Sequence, residues 1–187
     1  SAQVAGLTTG QIAALSSSQV GQLSTAAVAQ LTSAQLRAIV TADVAGVTTA
    51  QIVALSSAQV GQLTTAQIQA LSSSQIQAIE TGDVKGLTTA QVVALTSTQV
   101  GQLTTAQFVL LSTAQLGAIE TADIAGISTS QVAAITSAQV AGLTTGQIAA
   151  LSSSQVGQLT TAAVAQLTSA QLRAIVTADV AGVTTAQ

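Results

Sequence analysis

Nine ionisable side chains carry all the conventional acid–base chemistry in this chain. They are Asp43, Glu80, Asp83, Glu120, Asp123 and Asp179, with Arg37, Lys85 and Arg173. His, Cys and Tyr are absent, which removes the commonest general bases and the soft metal ligands. Two acidic pairs, Glu80 with Asp83 and Glu120 with Asp123, could offer carboxylates to Ca²⁺. Calcium takes six or more oxygens, so a pair of carboxylates is a poor site. Ser is abundant, but none has a His to activate it. The three cations cannot form the basic stripe that binding to a phosphate backbone requires. The glycines are not gathered into a phosphate loop. The expectation is a chain that is not an enzyme, with no catalytic, cofactor-binding or metal residue, no cofactor and no nucleic-acid partner.

What positions these few groups is a repeat of eight residues that keeps its phase. A large aliphatic residue opens every octad: Leu7, Leu15, Leu23, Leu31, Ile39, Val47 and onward to Ile175 and Val183. The sixth position is also always large and apolar: Ile12, Val20, Val28, Leu36, Val44, through to Val180. The third is Ser or Thr in every unit, the second is Ser or Thr in most, and the fifth is usually Gln. With Thr8 as a helix N-cap, Gln11 falls at the third helical position. Thr-x-x-Gln is then a capping box, and Leu7 and Ile12 occupy the two positions of a hydrophobic staple. Each octad therefore reads as a helix start. The next start comes eight residues later, so the pattern predicts five or six residues of helix and then a bend. Gly46, Gly86, Gly126 and Gly182 end their units, which fits a left-handed C-terminal residue.

The predicted fold is all-α, a tight solenoid of very short capped helices, one per eight-residue repeat. A continuous helix fails because eight residues at about 100° each let the apolar stripe drift by about 80° per unit. A β-solenoid is the rival. It is weakened because positions one and six have opposite parity and would face opposite sides of a flat strand. A lone octad cannot fold. Burying two aliphatic side chains yields about 3–6 kcal/mol, whereas ordering eight backbone residues costs about 8–16 kcal/mol. The units must cover one another.

Four octads, opening at Ile39, Ile79, Ile119 and Ile175, replace Gln by Asp and lose the second hydroxyl. Their cap is expected to move to Thr41, Thr81, Thr121 and Thr177, with Asp in the first helical turn where the helix dipole favours it. A special surface, such as a lateral contact, is the sharper alternative. The first three of these units follow one another at intervals of five octads, and the fourth comes seven octads after the third. The octad frame is therefore stricter than the longer pattern. Residues 4–51 recur as 140–187 with one change, Ser24 to Thr160. A tolerance for whole-unit changes in length is how a spacer behaves.

Composition agrees with an ordered, unusual chain. It is 48% hydrophobic with a net charge of −3, outside the range of disordered segments. Charged residues make up 5%, against roughly 25% in typical domains. A surface so poor in charge is weakly protected against lateral association, so the chain itself is the one partner expected. Polar pairs interrupt every apolar run before a membrane-spanning length, so no membrane insertion is expected. The chain starts and stops in mid-repeat. Residues 1–187 are expected to be one continuous array and an interior piece of a longer one.

Residues 87–95, reading Leu-Thr-Thr-Ala-Gln-Val-Val-Ala-Leu, resemble the opening helix of a transcription-activator-like effector repeat. The resemblance covers nine residues; that family's long repeat, base-reading loop and basic groove are lacking. Over its whole length the chain resembles the low-complexity Ser/Thr/Gln/Ala/Val repeat tracts of very large secreted or surface proteins of bacteria. That resemblance implies an extracellular fibre, stalk or adhesin spacer, self-associating into filaments. The alternative is a binding module that presents a regular Ser/Thr face to ice, water or glycan.

Overall fold

The computed structural model describes residues 6–175 and 177–187, the side chains of Thr177 and Ala178 excepted. The chain divides into two compact units, Ser1–Ala94 and Leu95–Gln187. Each is all-α, a tight solenoid of very short helices, one per octad, and strands are absent among the described residues. The β alternative is thereby set aside.

A consensus octad folds as its local chemistry dictates. Thr48 sits at φ −79°, ψ 157° and caps the helix Thr49–Val53. Its hydroxyl accepts from the Gln51 amide at 3.2 Å, and the Gln51 Oε1 accepts from the Thr48 amide at 2.8 Å. The same reciprocal box starts the helices at Thr9–Ala13, Ser33–Ala38, Thr89–Val93, Thr113–Ala118 and Ser169–Ala174. Where Ala27 and Ala163 replace Gln, the Ser24 and Thr160 hydroxyls still cap but the box is incomplete. The helices run four to six residues, slightly shorter at the low end than the spacing predicts. Helices this short have almost no stability of their own, so caps and packing must hold them.

The bend between helices needs no left-handed residue. All described residues have φ below zero, glycines included. The helix tightens as it ends: the Leu55 amide donates to the Ile52 carbonyl, three residues back. The chain then passes through extended backbone at the cap before the next helix begins. The left-handed role expected of Gly46, Gly86, Gly126 and Gly182 is therefore corrected. These glycines are required by proximity. A Cβ on Gly46 would stand 2.0 Å from the Ser17 carbonyl oxygen, and one on Gly86 would stand 2.1 Å from that of Ser57.

The Asp-containing octads depart from the expectation in a second way. Thr41–Gly46 and Thr121–Gly126 are 3₁₀ helices with Val40 and Glu120 at the cap, and neither cap makes a side-chain bond. The cap has not moved to Thr41 or Thr121, and Thr81 lies ahead of the 3₁₀ helix Asp83–Gly86. Gly82, the fourth position, caps that helix, while in the other two octads the cap stays at the second position. With no hydroxyl there, the amides of Asp43, Asp83 and Asp123 donate to the carbonyls of Val40, Glu80 and Glu120 at 2.8–2.9 Å. The first turn tightens as a result. Asp does fall in the first turn, as expected. Val176 and the Thr177 side chain, on which the fourth prediction turns, lie outside the described residues.

Winding brings octads three units apart together. In the first unit Ser17–Gly21 packs on Thr41–Gly46, and Thr49–Val53 packs on Ser73–Ala78. In the second, Ser97–Gln102 packs on Thr121–Gly126, and Thr145–Ala149 on Ser169–Ala174. The sixth-position side chains, from Ile12 to Val156, are buried along this path. Most first-position side chains join them from Leu31 onward. Phe108, the lone aromatic, occupies a sixth position and is fully buried.

Candidate functional site

The polar residues that matter most in this molecule are not the ionisable ones but the fifth-position glutamines. Gln11 and Gln19 are exposed and Gln59 is half-buried, but most of the other amides are almost wholly buried, as at Gln51, Gln91 and Gln131, 1%, 2% and 1% exposed. Each works with both ends. Gln91 Oε1 accepts from the Thr88 amide at 2.7 Å, completing its own capping box. Its Nε2 donates to the carbonyls of Val60 and Leu63, both at 2.8 Å. Those carbonyls lie 31 and 28 residues earlier, at the end of the helix Ser57–Val60. A helix C-terminus leaves carbonyls without intrahelical donors. One glutamine thus closes the start of its own helix and the end of a helix one coil before.

The rung recurs with the same spacing in most octads, and at Gln139 one of its two carbonyls shifts by a residue, giving Val109 and Leu111, 30 and 28 residues back. Gln51 reaches Val20 and Leu23, Gln67 reaches Leu36 and Ile39, and Gln75 reaches Val44 and Val47. In the second unit Gln131 reaches Val100 and Leu103, and Gln147 reaches Leu116 and Ile119. Offsets of 28 and 31 residues lie between three octads and four, so each coil closes within that span. Among the described residues every buried side-chain nitrogen and oxygen has a partner. A buried amide left unpaired costs about 1–3 kcal/mol, so this ladder is as necessary to the coil as its aliphatic seam.

Sequence reasoning finds the Oε1 half of this arrangement because Thr88 and Gln91 are three residues apart. It misses the Nε2 half. An offset of 28 or 31 is not a multiple of eight, and nothing in the octad announces the size of the coil.

The ionisable residues are scattered through the same joints. The Ser17 hydroxyl donates to Asp43 Oδ1 at 2.7 Å, and that of Ser153 to Asp179 Oδ1 at 3.0 Å. Arg37 Nε donates to the Gln62 carbonyl at 2.9 Å, again across the coil. Glu80 and Glu120 are exposed while Asp83 and Asp123 are half-buried. Among the described residues no three carboxylates gather to hold a metal ion. An apolar void of about 30 Å³ in the first unit, among Val20, Val28, Leu36, Val44 and Ile52, is a packing gap too small for a metabolite. Among the described residues no helix is long and apolar enough to cross a membrane.

The model of the ALTTAQ repeat matches residues 36–73, 76–113 and 116–153, which is more than half of the chain. The chain belongs to the ALTTAQ repeat family. The matched windows open at 36, 76 and 116, five octads from one to the next. The Asp-containing octads open with the same spacing, at Ile39, Ile79 and Ile119. The family's name spells the cap motif itself: Leu-Thr-Thr-Ala-Gln stands at 63–67, 87–91 and 103–107. Neither the curated proteins nor the solved structures yield a match.

Proposed function

We propose that the chain is a structural spacer, a fibre or stalk segment outside the bacterial cell, whose length is adjusted by adding or removing octads. The observation that carries this reading is the glutamine ladder. It commits the fifth-position amides to holding one coil on the next, and the hydroxyls that cap with them to their own helix starts. The spacing between the Asp-containing units varies, from five octads to seven, which a spacer tolerates and a catalyst does not. A stack of this kind draws its stability from nearest neighbours, so it can lengthen without redesign. Low surface charge favours lateral association into filaments. The resemblance to repeat tracts of large secreted and surface proteins supports the extracellular placement.

Small-angle scattering on arrays of increasing octad number tests this. The maximum dimension should rise linearly with each added octad; a radius of gyration that follows a compact globule would exclude a spacer. A second reading, a hydroxyl face for ice or glycan, draws on one observation. The third-position residues Thr9, Thr25, Ser33, Thr41 and Thr49 are all exposed in the first unit. Thermal hysteresis in solutions of the chain would favour it, and the absence of hysteresis would remove the ice version.

A further inference from the structure

Glycine in this chain obeys a rule that the octad alone does not require. Five octads carry Gly at the seventh position: Gly21, Gly61, Gly101, Gly117 and Gly157. Each has a partner glycine at the eighth position of the octad three units on: Gly46, Gly86, Gly126, Gly142 and Gly182. The pairing has no exception among the seventh-position glycines. It holds where the five-octad period fails, since Gly157 and Gly182 keep their separation after the seven-octad step.

The structure gives the reason. A Cβ on Gly21 would stand 2.8 Å from the Gly46 carbonyl oxygen, and one on Gly61 would stand 2.5 Å from that of Gly86. For Gly101 against Gly126 the distance is 2.4 Å, for Gly117 against Gly142 2.9 Å, and for Gly157 against Gly182 2.7 Å. The second glycine of each pair also abuts the start of the helix that ends at or near the first. A Cβ there would meet the Ser17, Ser57, Ser97 or Ser153 carbonyl oxygen at 2.0–2.1 Å, or the Thr113 Cβ at 2.8 Å for Gly142. Real Cβ atoms do not approach backbone oxygen so closely, so two coils touch backbone to backbone at each pair. Beside the first and last pairs a Ser–Asp hydrogen bond joins the same two octads, Ser17 with Asp43 and Ser153 with Asp179. By contrast Gly82, in the octad that ends at Gly86, has open space around its Cβ direction.

We infer that each glycine pair is a register clasp. It specifies which octad seats on which, by permitting a close approach that only these two positions can make. Consensus octads are nearly interchangeable, so the ladder of glutamines alone allows a coil to slip by a whole unit. Slippage is the ordinary weakness of repetitive pairing when every register satisfies the same pattern. A clasp removes that degeneracy, because only one register places glycine against glycine. It also sets which changes in length the array accepts: octads can be added between clasps but not inside one. This holds whether or not the chain serves as a spacer, because it concerns only how the coil finds its register.

The test uses the full chain with one inserted octad, a copy of residues 63–70. Placed between Gln30 and Leu31 it separates Gly21 from Gly46; placed between Ala54 and Leu55 it separates no pair. Thermal melts followed by circular dichroism should show the first insertion lowering Tm by roughly 5 °C or more. The second should leave it within about 1 °C. A third variant adds Ala29→Gly to the first insertion. Residue 29 then stands to the displaced glycine as Gly21 stood before the insertion, and most of the lost Tm should return. Equal melting of the two insertions, or no recovery with Ala29→Gly, would overturn the clasp.

Discussion

The octads Thr41–Gly46 and Thr49–Val53 are neighbours in the same unit and solve the same problem in opposite ways. Both must bury an aliphatic residue, Val44 or Ile52, and both must satisfy backbone groups at each end of a very short helix. The second does it with side chains: Thr48 and Gln51 exchange hydrogen bonds, and Gln51 turns its other end to the previous coil. The first has neither hydroxyl nor glutamine at those positions. It contracts to a 3₁₀ turn, closes its start on the Val40 carbonyl and ends in a glycine lodged against the backbone of Ser17. A side-chain rung tolerates some distance between coils, whereas direct backbone contact tolerates none. The consensus octads therefore supply most of the cohesion, and the Asp-containing octads supply the tightest geometry.

That contrast is broken most severely at a glycine. Gly86→Ala should cost about 3 kcal/mol or more, since its Cβ meets the Ser57 carbonyl oxygen at 2.1 Å and backbone must move. Gly82→Ala, four residues earlier and unobstructed, should be neutral or slightly stabilising. Equal loss of Tm in the two would show that the glycine effect is one of propensity, not proximity. The consensus side is tested next by Gln91→Leu. This removes the donor to Val60 and Leu63 and the acceptor for the Thr88 amide. Leaving those groups unpaired should cost about 2–3 kcal/mol in denaturant unfolding. A change below about 0.5 kcal/mol would mean that the rung is not holding the coils. The smallest effect is expected at the cap alone: Thr88→Ala should cost about 1 kcal/mol, read as a small drop in helical ellipticity and midpoint.

How far the sequence reveals this structure follows the range of each interaction. The capping box is local, three residues from hydroxyl to amide, so Thr88 and Gln91 can be read directly. The octad period and its aliphatic positions are readable for the same reason. The tightened start at Val40 and Glu120 is not, because the loss of a cap hydroxyl suggests a shift to Thr41 and Thr121. The structure instead keeps the frame and changes the turn. A local rule about helix ends also misplaces Gly46, whose reason lies a whole coil back at Ser17. The pairing of glycines is present in the sequence as a regularity. Its meaning depends on the size of a coil, which no single octad encodes.

The glutamine rungs also point the same way, with the amide oxygen toward its own helix start and the amide nitrogen toward the coil before it. A coil therefore has a donor face and an acceptor face, and the two are not interchangeable. Two like faces brought together would set amide nitrogen against amide nitrogen, or carbonyl against carbonyl. The winding is a one-way street: a further coil can be seated only in the same sense as the last, and a two-fold axis between coils is forbidden.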